Sequence, residues 1–151
     1  MTPMAFVGLF RKKEKKAVAT EPVQKPLLQE LCGDDDELYQ VLSRTVLMNP
    51  QMTMKDGIDA YIEKARSFEE EGNHIRARIA YQAAGEISQF EGKLAQTQEF
   101  FKKAADATPD FANKKFFEYY SKKKNAERAL AVAQEYYTKT GKREEKKEAT
   151  G

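Results

Sequence analysis

The chain has 151 residues, 40% of them hydrophobic and 33% charged, with a formal net charge of +2. That is enough for one domain with a single hydrophobic core, and no run approaches the roughly eighteen apolar residues of a membrane span. One cysteine, Cys32, and one histidine, His74, exclude an intrachain disulfide framework, a Cys/His zinc site and any catalytic group that needs two of either residue.

Charge is uneven along the chain. Residues 1–26 carry six basic and two acidic residues, residues 27–91 six and thirteen, and residues 92–151 fourteen and nine, for net charges of +4, −7 and +5. Such asymmetry points to one acidic and one basic face or end. Residues 1–26, lysine-rich and closed by Pro22 and Pro26, read as a flexible basic arm. Within the arm an apolar run, Met4 to Phe10, precedes Arg11-Lys12-Lys13, the reverse of a secretory signal, so export is not expected. Together with the lone cysteine this favours the reducing cytoplasm. Phe6, Leu9 and Phe10 followed by Arg11, Lys12 and Lys13 have the two-signal composition of a weak peripheral membrane tether, or of a short docking peptide.

From Pro26 onward the apolar period is helical. Pro26 opens a short turn over Leu27 to Cys32 that Gly33 stops. Asp34 is a suitable N-cap and Asp35, Asp36 and Glu37 suit a helix N-terminus; Leu38, Val41, Leu42, Thr45 and Val46 then form one stripe, ended by Asn49-Pro50. Thr53 and Asp56 have capping-box spacing ahead of a second helix carrying Ile58, Tyr61, Ile62, Ala65 and Phe68. Its last turn, Glu69-Glu70-Glu71, opposes the helix dipole. Gly72 stops it and Asn73 caps a third helix to about Gln89, with Ala77, Ala80, Tyr81, Ala84 and Ile87 inward. After Gly92, Leu94, Thr97, Phe101, Ala104 and Ala105 define a fourth, stopped near Thr108-Pro109. Asp110 caps a fifth with Phe111, Phe117 and Tyr120 inward, and Asn125 a sixth with Ala129, Leu130, Ala133, Tyr136 and Tyr137, ended by Gly141. Residues 142–151 form a charged tail expected to be disordered. With connections of two to six residues, successive helices lie antiparallel. The expected fold is all-α, about six helices over residues 27–141.

The pattern from Tyr61 to Ala84 resembles a tetratricopeptide repeat, a helical hairpin of about 34 residues. Tyr61, Ala65 and Phe68 sit on the aromatic, small and aromatic positions of its first helix, Gly72 on its turn, and Ala77, Tyr81 and Ala84 on its second helix. Thr97, Phe101, Ala104 and Pro109 repeat the second-helix spacing with its closing proline. Elsewhere the order departs. Ala129, Ala133 and Tyr136 invert the aromatic and small positions, Phe117 stands where a small residue is expected, and Ala77 and Ala129 lie 52 residues apart. The resemblance implies a degenerate set of about three hairpins, packed as a bundle or short solenoid, that acts as a non-catalytic adaptor for a protein partner. The aromatic and alanine positions are then framework, and Asp59, Lys64 and Arg66 on the outward side of the first helix are the expected contacts. The basic and asparagine residues with which some family members hold a terminal carboxylate have no counterpart here.

Other constellations have plainer readings. Asp34-Asp35-Asp36-Glu37 lacks the spaced ligands and turn glycine of a calcium loop and suits helix capping. His74 has no cysteine or acidic partner at metal spacing and reads as structural or surface. Cys32, followed by acids, is expected to be buried and inert. Neither GxGxxG nor GxxxxGK[ST] occurs, so nucleotide chemistry has no visible apparatus. No metal or cofactor is called for, and no group of residues nominates a reaction. The segment Lys114 to Lys124 interleaves Lys114, Lys115, Lys122, Lys123 and Lys124 with Phe116, Phe117, Tyr119 and Tyr120. It suits a helix with a buried stripe and solvated lysines, a protein interface, or RNA binding by phosphate neutralisation and base stacking. Phe116 and Tyr119 fall off the stripe of Phe117 and Tyr120, which leaves at least one of them exposed.

Overall fold

The computed structural model describes residues 26–47 and 50–142; for Gln51, Met52 and Phe111 only the backbone is described. The described residues form an all-α bundle with no strand among them. In chain order the helices are α1 (Leu27–Cys32), α2 (Asp36–Thr45), α3 (Pro50–Thr53), α4 (Gly57–Glu70), α5 (His74–Phe90), α6 (Leu94–Asp106), α7 (Phe111–Glu118) and α8 (Lys123–Lys139), with a 3₁₀ turn at Tyr119–Ser121 between the last two. The arm with Phe6, Leu9, Phe10, Arg11, Lys12 and Lys13, and the tail from residue 143, lie outside the described residues.

Three of the helices stop in the same way. After α4, α5 and α8 a glycine takes the left-handed conformation (Gly72, Gly92 and Gly141, φ 76–77°). The next amide then reaches back five residues: Asn73 to the Phe68 carbonyl, Lys93 to Ser88, Lys142 to Tyr137, at 2.8–3.0 Å. This satisfies carbonyls that the helix end leaves open, in a geometry that costs a residue with a Cβ but not glycine. The turns fold α4, α5 and α6 back on one another, and α4 packs chiefly on α5.

Helix α5 is the axis of the bundle. It meets α3, α4, α6 and α8, and buries Ala77, Ala80, Tyr81, Ala84, Gly85, Ile87, Ser88 and Gln89. The small residues set the helix spacing. A Cβ on Gly85 would lie 2.8–3.0 Å from the Phe101 ring of α6, so only glycine lets that ring close on the α5 backbone. Helix α8 crosses back onto α1, α2, α5 and α6. Contact between the first and last of the described helices is what an open solenoid lacks, where each hairpin touches its sequence neighbours.

Local expectations fared unevenly. Asn73 and Asp110 cap α5 and α7 through the amides of Arg76 and Ala112 (3.2 and 2.9 Å). At α2 the cap is Asp35 rather than Asp34, its carboxylate accepting from the Leu38 amide at 3.0 Å. The Thr53–Asp56 capping box does not form: Thr53 ends α3, and Asp56 is already helical (φ −86°, ψ −20°) with no side-chain cap bond, whereas a cap residue needs non-helical geometry. Helix α2 ends at Thr45, short of Asn49-Pro50, and Pro50 opens α3. Asn125 lies inside α8, where its Nδ2 donates to the Tyr119 carbonyl at 3.1 Å. The unfavourably placed Glu69 has a partner: it accepts from the Tyr81 hydroxyl across the hairpin at 2.8 Å.

Candidate functional site

Helix α7 and the 3₁₀ turn are packed between two neighbours, and both of their sides are buried. Phe117 and Tyr120 stack on Phe101 of α6, with centroids 6.0 and 4.3 Å apart. On the other side Phe116 meets α2, where the Arg44 guanidinium lies 4.2 Å from its ring centroid. Tyr119 is held near Asp35, Glu37 and Cys32, and burial first, then those charges, push its hydroxyl up to about 12. Phe116 is 9% exposed and Tyr119 6%, so the expected exposed aromatic is absent.

Phe116 is instead the floor between two clefts. One, of about 310 Å³, is lined by Asp36, Glu37, Gln40, Val41 and Lys115. Acids of α2 face a lysine there, so its charge is mixed. The other, of about 210 Å³, is lined by Arg44, Arg78, Gln82, Asn113 and Phe117. Each arginine in it is steadied by one long hydrogen bond: Arg44 Nη1 to the Gln40 carbonyl (3.3 Å) and Arg78 Nη1 to Gln82 Oε1 (3.4 Å). The Gln82 amide in turn donates to the Arg44 carbonyl (3.1 Å) and to Glu86 Oε2 (2.8 Å). Neither arginine is in an ion pair with a carboxylate among the described residues.

The one acid on the same face of α5, Glu86, does not offset them. Its side chain keeps some surface, but burial of the carboxyl pushes its pKa up to about 8, against the bond from Gln82 that lowers it. Burial disfavours the charged form of this carboxyl, and it does not line the cleft, which is a two-arginine site on an aromatic floor. Beside it on α5 stand Ile75 and Ile79, 62% and 53% exposed, the two exposed large hydrophobic side chains among the described residues. Positions 75, 78, 79 and 82 are three or four apart and therefore adjacent on the helix surface. The isoleucines and the arginine cleft are one continuous face.

The chain matches no protein-family profile, no curated protein and no solved structure.

The remaining expected site residues are dispersed. Lys64 is exposed on α4, 3.9 Å from Asp56 and over the Tyr61 ring; Arg66 is exposed on the same helix. Asp59 lines a shallow depression with Glu91, Lys93 and Gln96 at the far end of the hairpin. Lys114 is half-buried and Lys115 exposed on α7, with Lys115 5.3 Å from the Phe116 centroid. Lys122, Lys123 and Lys124 are exposed at the start of α8. His74 is exposed. Cys32 is buried, and burial first and Asp35 second raise its thiol pKa. No group of three or more His, Cys, Asp or Glu among the described residues is placed to hold a metal ion, and no described helix is long and apolar enough to cross a membrane.

Periodicity also missed a polar cluster inside the bundle. The Tyr120 hydroxyl donates to Gln89 Oε1 (2.6 Å) and lies 2.9 Å from Thr45 Oγ1, while Gln89 Nε2 donates to the Thr45 carbonyl (3.1 Å). The Tyr137 hydroxyl accepts from the Leu47 amide (2.9 Å), and Gln134 donates to the Gln89 carbonyl. These bonds tie the end of α2 to α5, α8 and the 3₁₀ turn. Desolvation raises the pKa of both tyrosines, so they are neutral hydrogen-bonding groups rather than proton acceptors. The hydrogen bonds give the cluster a structural role.

Proposed function

We propose that this protein is a non-catalytic adaptor whose helical hairpins hold a protein partner. The observation that carries the reading is the exposed pair Ile75 and Ile79. Large apolar side chains elsewhere among the described residues are at least half covered, and an apolar patch left on an otherwise polar surface marks an interaction site more often than a scattered single residue does. Covering each isoleucine would contribute about 1–2 kcal/mol, since roughly half of each side chain is still in water. The basic cleft beside them supplies the polar rim that such interfaces have.

The tetratricopeptide likeness belongs to the same proposal. Its support is the α4–α5 pair, where Ala65, Ala77 and Ala84 are buried at the helix contact and Tyr81 bonds to Glu69 across it. The contact residues move, however, from the outward side of α4 to the outer face of α5. A reading as an RNA-binding protein has less to stand on, because Tyr119 lies in the core and Phe116 lies beneath Arg44; neither is a free stacking platform. A cytoplasmic location remains part of the proposal and rests on the single cysteine.

The test is affinity capture from source-cell lysate with and without nuclease, using the protein and its Ile79→Asp variant. The expected result is a protein partner that survives nuclease and is lost with the variant. Co-purification of RNA, with associated proteins lost after nuclease, would replace the adaptor reading with a nucleic-acid one.

A further inference from the structure

Resting on the adaptor reading, we infer that the α5 face recognises an acidic amphipathic helix of the partner, with a side-chain carboxylate seated between Arg44 and Arg78 and aliphatic residues laid over Ile75 and Ile79. The choice of occupant follows from charge. Two guanidinium groups line one cleft of about 210 Å³, and the nearby carboxyl group of Glu86 is engaged by Gln82. Each arginine uses one donor internally and keeps others in its fork for an incoming oxyanion. The Arg44 guanidinium is stacked on Phe116 and Arg78 is bonded to Gln82, so both are partly pre-organised, which lowers the ordering cost of binding.

Geometry selects a helix rather than an isolated ion. Ile75 and Ile79 are one turn apart along α5, and the cleft opens alongside them, with Arg78 level with Ile79 and Gln82 about one turn on. An occupant must therefore present aliphatic groups and an acid in register along a helix axis. A second helix with aliphatic residues at i and i+4 and an acid at the flanking i+3 or i+7 position has that register. A basic segment would be repelled by the two arginines, and a purely apolar one would leave them without a partner, so both are less favoured than an acidic one.

The experiment is selection from a display library of random peptides on the intact protein, followed by fluorescence anisotropy of the enriched peptides made synthetically. Enriched sequences are expected to combine acidic and aliphatic residues at helical spacing. Their affinity should fall by about tenfold or more on Arg78→Glu, fall on Ile79→Asp, and weaken with salt. Peptides with lysine in place of the acid should regain binding to Arg78→Glu. Circular dichroism melts of each variant establish that it is folded, and Arg78→Gln together with Arg44→Gln gives a milder pair if charge reversal unfolds the chain. Basic or uncharged enriched peptides, or acidic ones indifferent to both arginines, would overturn the inference while leaving the adaptor reading to the lysate capture. A library that yields nothing overturns it as well. Self-association on gel filtration that Ile79→Asp abolishes would assign the face to a second copy of the chain, with the same consequence.

Discussion

Replacing Glu86 by glutamine should make the protein more stable above neutral pH and flatten its dependence on pH. The carboxyl group is pushed up from an ordinary value of 4.5 to about 8, chiefly by burial. The folded state therefore holds a proton between those values that the unfolded state releases. Where the folded state binds more protons, stability falls as pH rises. The Glu86 penalty is thus absent below about pH 4.5, grows across the interval and is complete above about pH 8. At about 1.4 kcal/mol per pH unit the ceiling is about 4–5 kcal/mol; solvent reaching the partly exposed side chain and local relaxation bring the expected effect to about 2 kcal/mol. Glutamine keeps an oxygen for the Gln82 amide, which donates to Glu86 Oε2 at 2.8 Å, and removes the charge. Urea unfolding of both proteins from pH 5 to pH 9 measures the difference, in which the other carboxylates cancel. A gain for Glu86→Gln that grows with pH supports the reasoning. Equal pH profiles, or a gain that shrinks as pH rises, would refute it and place the carboxylate in water.

Three further outcomes follow from the packing. Tyr120→Phe removes the donor of Gln89 Oε1 inside the bundle and should cost about 1–3 kcal/mol, read as a lower urea midpoint; an unchanged midpoint would mean the buried cluster contributes nothing. Gly85→Ala drives a Cβ to within 3.0 Å of the Phe101 ring and should cost about 1–3 kcal/mol by overpacking, with altered near-ultraviolet circular dichroism from the Phe101–Tyr120 stack; a neutral effect would show that α5 and α6 separate freely. Ile79→Asp, at a 53% exposed position, should leave the melting temperature within a few degrees while abolishing partner capture; a large loss of stability would place Ile79 in the core instead of on a binding face.

Helix positions were readable because their signals are local. Asn73 and Asp110 each have a carboxylate or amide oxygen next to a helical run, and each caps as expected. Asp34 and Asp35 are chemically equivalent, and only the backbone after Gly33 decides between them. The 3.6 period placed Ala77, Ala80, Tyr81, Ala84 and Ile87 of α5 and Thr97, Phe101, Ala104 and Ala105 of α6 in the core, but not the buried Gly85, Ser88, Gln89 and Phe100, and Leu94 is only half-buried. Helix α7 defeated that rule. Periodicity assigns one buried stripe, but α7 lies between α6 and α2, so Phe116 and Tyr119 are buried as well as Phe117 and Tyr120. Arg44 belongs to the second neighbour, and nothing in the sequence pairs it with Phe116. Ile75 and Ile79 were visible in principle: on α5 they fall opposite Ala77 and Ala84, and an apolar pair out of phase with a core stripe is a signal of an exposed contact. The arginine cleft was not, because Arg44 and Arg78 are brought together by tertiary packing alone.

The most direct test of the proposed face is site-specific photocrosslinking in the source cells. A photoreactive phenylalanine analogue is placed at position 79, and separately at Ala131, which is exposed on α8. The expected result is a discrete protein adduct from position 79 and none from position 131. No adduct at 79, or the same adduct from both positions, would contradict the assignment of the α5 face as the binding surface.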